Sequence, residues 1–191
     1  MTLLEELLQR SAELHHHLCP RQVLGVRMGL LGGRLLELVV PQRDKRLLAI
    51  VETDGCASDG VAVATNCWVG RRTMRVLDFG KVAVTFVDTQ TNRAMRIAPS
   101  QQSRHLAEQY AATAESRWHA YLLGYQHMPD AELFSVRPVQ LRFSLEELLS
   151  KESYRVICAH CGEEVTNQRE VIQDGRTLCR PCAGHGYYWD Q

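Results

Sequence analysis

Four cysteines in two pairs, Cys158-x2-Cys161 and Cys179-x2-Cys182, stand 17 residues apart within the last 34 residues of this chain. Two such pairs can bring four thiolates tetrahedrally onto one Zn²⁺. The residues around them suit that geometry. Gly162 follows the first pair, where the backbone must turn its N–H groups toward sulfur, and Pro181 lies inside the second. Asp174-Gly175 predicts a tight hairpin between Val171-Ile172 and Thr177-Leu178. So small a segment buries too little apolar surface to fold unaided, so metal binding would supply most of its folding free energy. Four ordinary thiols or two disulfides are the alternative reading. The spacing, and the lack of a secretory context, favour zinc.

With 191 residues the chain has room for one domain of ordinary size ahead of this module. An apolar content of 45% and a charged content of 23% are those of a globular chain. Its 22 Lys and Arg balance its 22 Asp and Glu, and the zinc tail is itself close to neutral, which argues against general nucleic-acid binding. The first residues, MTLLEELLQRSAEL, lack the basic start and apolar run of an export signal. No stretch approaches the roughly 20 apolar residues of a membrane span. Seven cysteines in such a chain point to a reducing compartment, with the cytoplasm as the expected location.

Along the chain, Leu3, Leu4, Leu7, Leu8 and Leu14 predict a short amphipathic helix. Pro20 opens a second helix, running to about Glu37. Its Gly25, Gly29 and Gly32 or Gly33 share one face, a ridge that suits close backbone approach to a neighbouring element or a ligand. Leu47–Thr53 reads as a buried strand, Ser58–Cys67 as a helix, and Val82–Val87 as a second strand paired with Arg93–Ala98 across Thr91-Asn92. Residues 101–125 read as the longest helix, with Leu106, Tyr110, Ala114, Trp118, Tyr121 and Tyr125 forming a stripe assigned to core packing. Phe134–Phe143 holds a last strand, and 144–152 a short linking helix. Strands and helices without regular βαβ alternation predict an α+β domain over residues 1–150, followed by the zinc module over 153–191.

The remaining cysteines and a histidine run form a second cluster of metal-type residues. His15-His16-His17-Leu18-Cys19-Pro20 falls between two helices, Cys56 at the entrance to a helix, and Cys67 near that helix's far end. Thiols at helix N-termini are favoured as thiolates, which applies to Cys19 and Cys56. In an extended segment His15, His17 and Cys19 would face one side. Imidazole and thiolate together suit zinc, nickel, copper or iron. Buried inert thiols and a solvated histidine turn are the bland alternative.

HHHLCPRQVLGVRMGLLGGRLLE resembles the signature of the FmdE-like family of formylmethanofuran dehydrogenase components, roughly His-Gly-His-x-Cys-Pro-Gly followed by Gly-x-Arg. ETDGCASDGVAVATNCWVGRRTMRVLDFGKVAVTF and MPDAELFSVRPVQL are similar to later blocks of that family, so that the likeness covers most of residues 10–145. His16 and Arg21 stand where the signature has glycine, and Asn66 and Trp68 flank Cys67 where glycine and threonine are more usual. The resemblance implies an α+β core, a homodimer, and a His/Cys cleft able to hold a transition metal. The ligand candidates it carries over are His15, His17, Cys19, Cys56 and Cys67, with Asp59 and Lys81 as polar neighbours. It also implies a treble-clef-type finger for Cys158, Cys161, Cys179 and Cys182. The family name associates such chains with a molybdenum or tungsten enzyme of methanogenesis-related C1 metabolism.

Three functions follow. The first is an accessory metal-binding protein whose zinc module contacts a partner or a second protomer. The second is a thiol- or metal-dependent enzyme acting on a small molecule in C1-linked metabolism, with Cys19 or Cys56 as nucleophile and His17 as base. The third is a regulator whose zinc module contacts nucleic acid or polymerase, the neutral charge arguing against the nucleic-acid version but not against protein contact. Three or fewer protein ligands at the core site would leave room for chemistry, and four would close it.

Overall fold

A capping box starts the chain's first helix. Thr2 Oγ1 accepts from the Glu5 amide (3.3 Å) while Glu5 accepts from the Thr2 amide (2.7 Å), opening α1 (Leu3–His15). The computed structural model describes residues 1–149, 151 and 153–189. It divides into two units, Met1–Leu145 and Glu146–Gln191.

In the first unit, Cys19 is the N-cap of α2 (Pro20–Leu36), and proline occupies the first turn, where its missing N–H costs nothing. Buried Gln22 accepts from the Cys19 amide (2.7 Å) and donates to the Ser11 carbonyl (2.9 Å) and hydroxyl (3.1 Å), pinning α1 to α2. The glycine ridge of α2 packs on α3 (Cys56–Thr65). A Cβ at Gly25 would lie 2.1 Å from the Ala57 carbonyl oxygen, and one at Gly60 would lie 2.4 Å from the Gln22 carbonyl oxygen. Gly25 and Gly29 therefore serve helix packing, while Gly32 meets Phe86 and Gly33 meets Val40.

Five strands form one sheet in the order β2-β1-β3-β4-β5. They are β1 (Leu47–Val51), β2 (Met74–Val76), β3 (Val84–Asp88), β4 (Ala94–Pro99) and β5 (Phe134–Pro138). Only the β1–β2 pair is parallel. β1 and β3 are buried along their whole length. Phe86 of β3 lies where a Cβ on Gly32 would stand, so α2 covers the sheet closely. Two bidentate ion pairs brace the strands. Arg96 holds Glu52 (2.6 and 2.6 Å), and Arg46 holds Asp88 (2.8 and 2.7 Å).

The helix expected over 101–125 is two helices, α4 (Ser103–Tyr110) and α5 (Arg117–His127). Ser116 caps α5 by accepting from the His119 amide (3.3 Å), the role of a helix-starting residue. α5 folds back until Gly124 meets α4, with only 2.5 Å between a Cβ there and the Ala107 carbonyl oxygen. β2 and the single turn α6 (Asp130–Leu133) are further differences from the sequence reading. Both are too short to leave a periodic signal. The linking helix α7 is Leu145–Leu148; Ser150 and Glu152, also assigned to it, lie outside the described residues.

The second unit contains two small antiparallel hairpins, β6 (Arg155–Ile157) with β7 (Glu164–Thr166), and β8 (Val171–Gln173) with β9 (Arg176–Leu178), then a helical turn over Pro181–His185. Asp174 and Gly175 turn the second hairpin at φ of 50° and 73°, as Asp-Gly predicts. Among the described residues no helix is long and apolar enough to cross a membrane.

Candidate metal centres

The first cysteine pair sits in the loop from β6 to β7, and the second pair runs from the end of β9 into the closing turn. All four sulfurs lie within 4.8 Å of one another. Tetrahedral Zn²⁺ with Zn–S of about 2.3 Å sets sulfurs about 3.8 Å apart, and Cys161 Sγ to Cys179 Sγ is 3.8 Å. Backbone amides supply the surrounding polarity. The Cys179 amide donates to Cys158 Sγ (3.3 Å), and the Cys161, Cys179 and His160 amides together lower the Cys158 thiol to about 6. Cys182, crowded first by the Cys179 thiol and then by burial, is pushed up to about 12. Four thiols at one point cannot ionise together unaided, and a divalent cation removes that conflict. The donor set, spacing and amide pattern all fit zinc.

The core cluster is built where three helix ends meet. His15 is the last residue of α1, Cys19 caps α2, and Cys56 and Asp59 lie in the first turn of α3. His15 Nε2 is 3.4 Å from Cys56 Sγ, and its Nδ1 is 3.3 Å from an Asp59 carboxylate oxygen. The Cys19 and Cys56 thiols are close enough to influence each other's ionisation. The His17 ring lies 4.8 Å from that of His15. Burial, then the Cys19 thiol, raises the Cys56 pKa, opposite to the lowering expected at a helix N-terminus. Desolvation outweighs the helix end here.

Three expectations change in detail. The His15–Cys19 segment is not extended, because α1 continues through His15 and the chain turns at His16 with φ of 63°. His15, rather than His17, faces the thiol. Cys67 does not join the cluster. It is fully buried beyond the far end of α3, where it accepts from Gln42 Nε2 (3.1 Å) and donates to the Leu47 carbonyl (3.4 Å), with burial raising its pKa. Lys81 lies on the Glu52 side, where its charge helps Arg96 keep that carboxyl low. Among the described residues, no second group of metal-type donors is as tight as the tail cluster.

A feature the sequence reading missed adjoins Cys19. A cavity of about 410 Å³ is lined by Arg21, Arg104, Trp118, Tyr121 and Tyr125 among others. The stripe assigned to core packing thus divides. Tyr125 is buried, but Trp118 is 45% exposed. Spacing alone shows that these rings share a face of α5, not that a void lies beside it.

An α+β core carrying a cluster of His and Cys side chains, followed by a four-cysteine finger, defines the class of protein. Two family models match the chain. One, FmdE, described as molybdenum formylmethanofuran dehydrogenase operon, matches residues 14–135, and the prokaryotic dksA/traR C4-type zinc finger matches residues 152–185. The chain belongs to the FmdE family. It is 31% identical to a probable S-adenosyl-L-methionine-binding protein of Archaeoglobus fulgidus, matching over 96% of its own length and 54% of the relative's. It therefore spans about half the length of the curated relative it matches. The crystal structure of a tungsten formylmethanofuran dehydrogenase FmdE-like protein from Syntrophus aciditrophicus shares its fold, with a TM-score of 0.58 at 24% identity, over 97% of this chain and 95% of that one.

Proposed function

We propose that this chain is an accessory metal-binding protein in which Cys56, Cys19, His15 and His17 hold a transition metal in the core cleft, while the four-cysteine finger contacts a partner or a second protomer. The observation that carries this is the clamping of His15 between Asp59 and Cys56. A ligating histidine characteristically gives its second ring N–H to a carboxylate, which fixes its orientation and raises its basicity toward the metal. Asp59 stands in that position on Nδ1, leaving Nε2 directed at the Cys56 thiol. The FmdE family and the name of the Syntrophus protein support a molybdenum or tungsten enzyme of C1 metabolism as the partner. In this reading the chain acts as a homodimer in the cytoplasm.

Elemental mass spectrometry on tag-free protein tests the core site. The expected result is two metals per chain in wild type, one surviving in Cys158→Ser/Cys161→Ser, and only the tail zinc remaining in Cys56→Ser. A single zinc in wild type, lost from the tail variant, would remove the core metal.

The same contacts favour a second reading. Cys56, His15 and Asp59 stand in the order nucleophile, base and orienting carboxylate of a thiol enzyme. The raised Cys56 pKa means that such a thiol would depend on His15 to take its proton. Alkylation of metal-free protein separates the readings. A Cys56 rate that falls at least about tenfold in His15→Ala supports the thiol enzyme, and an unchanged rate leaves the metal site.

A further inference from the structure

The cavity beside Cys19 has a ring-binding wall and a cationic wall. Trp118, Tyr121 and Tyr125 occur at i, i+3 and i+7 on α5, one face of the helix. The Tyr121 and Tyr125 rings are nearly parallel, 10° apart, with centroids 5.8 Å apart. Trp118 lines this void and is 45% exposed, a large apolar ring left partly uncovered. Opposite charges are missing from the lining. Arg21 on α2 and Arg104 on α4 face the same space, and no carboxylate lines it. Among the described residues neither arginine forms an ion pair. Arg104 and Ser103 line the same space as Tyr125, so the cation stands beside the aromatic wall. A volume of about 410 Å³ lies within the range of small-molecule sites, roughly 300–1,000 Å³.

We infer that this cavity binds a small molecule combining a planar aromatic ring with an anionic group, the ring stacking on Trp118 and the anion held by Arg21 and Arg104. Stacking tolerates any flat π-system, and the planar guanidinium matches phosphate or carboxylate. Two uncompensated arginines exclude an organic cation, for which an aromatic lining alone would have been suitable. Because Cys19 lines one side, the bound molecule lies beside the thiol cluster whether or not a metal is present.

Titration calorimetry on the full-length protein tests this with three probes: adenosine 5′-monophosphate, flavin mononucleotide and phenyl phosphate. Their neutral counterparts, adenosine, riboflavin and phenol, and inorganic phosphate complete the set. At least one ring-bearing anion is expected to bind about tenfold or more tighter than its neutral counterpart and than phosphate. Its affinity should fall about tenfold in Trp118→Ala and about tenfold in Arg21→Gln/Arg104→Gln, while Arg10→Gln leaves it unchanged. All four changes are at exposed positions, and circular dichroism confirms that each variant folds. Failure of all three probes to bind at millimolar concentration overturns the inference. Equal affinity for ring-bearing anion and neutral ring, or unchanged binding in Trp118→Ala, also overturns it.

Discussion

Gly25 of α2 and Gly60 of α3 press backbone against backbone, so that a Cβ on either would fall within 2.4 Å of a carbonyl oxygen on the opposite helix. That contact sets the separation of the two helix starts, where Cys19 and Cys56 stand. The thiol pair of the core cluster is thus a consequence of helix packing. Gly25→Ala must push the helices apart, because the clashing atom belongs to rigid backbone. The expected cost is about 3 kcal/mol of unfolding free energy in denaturant titration, with loss of the proposed core metal from the protein that still folds.

Much of this arrangement was legible in the chain. The glycine ridge of α2 announced a close approach, the Thr91-Asn92 turn placed the β3–β4 hairpin, and the two CxxC pairs with Asp174-Gly175 marked out the finger. What stayed hidden depends on tertiary contact. Trp118 and Tyr125 look equivalent on a helical wheel and both line the cavity, yet Trp118 is half exposed and Tyr125 is buried. Asp59 meets His15 only because α1 ends against the first turn of α3. The break at residues 111–116 was readable from Ser116 alone, and the surrounding alanines, good helix formers, concealed it.

Cys158→Ser should dismantle the finger and spare the first unit. With one thiolate gone the tail loses most of the binding free energy that folds it. Heteronuclear NMR should show collapse of amide dispersion for residues 153–189 with the resonances of 1–145 in place. Collapse of both sets would mean that the two units fold as one.

The Arg46–Asp88 pair makes stability depend on acid. Arg46 holds the Asp88 carboxyl well below the ordinary carboxylate range, aided by Thr91 and the Gln90 amide. A carboxyl depressed in the folded state adds stability above its unfolded pKa of about 3.9, and loses it as the pH falls toward the folded value. Arg96 acts on Glu52 in the same direction. Wild-type stability should therefore decline from about pH 5 downward, and Asp88→Asn should be less stable at neutral pH with a shallower acid limb. Chemical denaturation at a series of pH values measures both.

His16 ends α1 in the left-handed region, with φ of 63° and ψ of 0°, a conformation that costs residues bearing a Cβ more than glycine. His16→Gly is expected to stabilise the protein by about 0.5–1 kcal/mol. The His16 side chain is exposed, so the gain in melting temperature should come without change in core metal content.

Asp59→Asn tests the core site without touching a proposed ligand. The amide preserves shape, and its oxygen can still accept from His15 Nδ1, but the negative charge that strengthens the imidazole as a donor is gone. Loss of such a partner lowers metal affinity roughly 10–100-fold, so competition against a chelator should show that drop with the fold intact. His15→Ala removes the donor itself and should weaken binding further. An Asp59→Asn affinity equal to wild type would mean that the carboxylate does not tune His15 as a ligand, leaving the imidazole free for the proton-transfer role of the thiol reading.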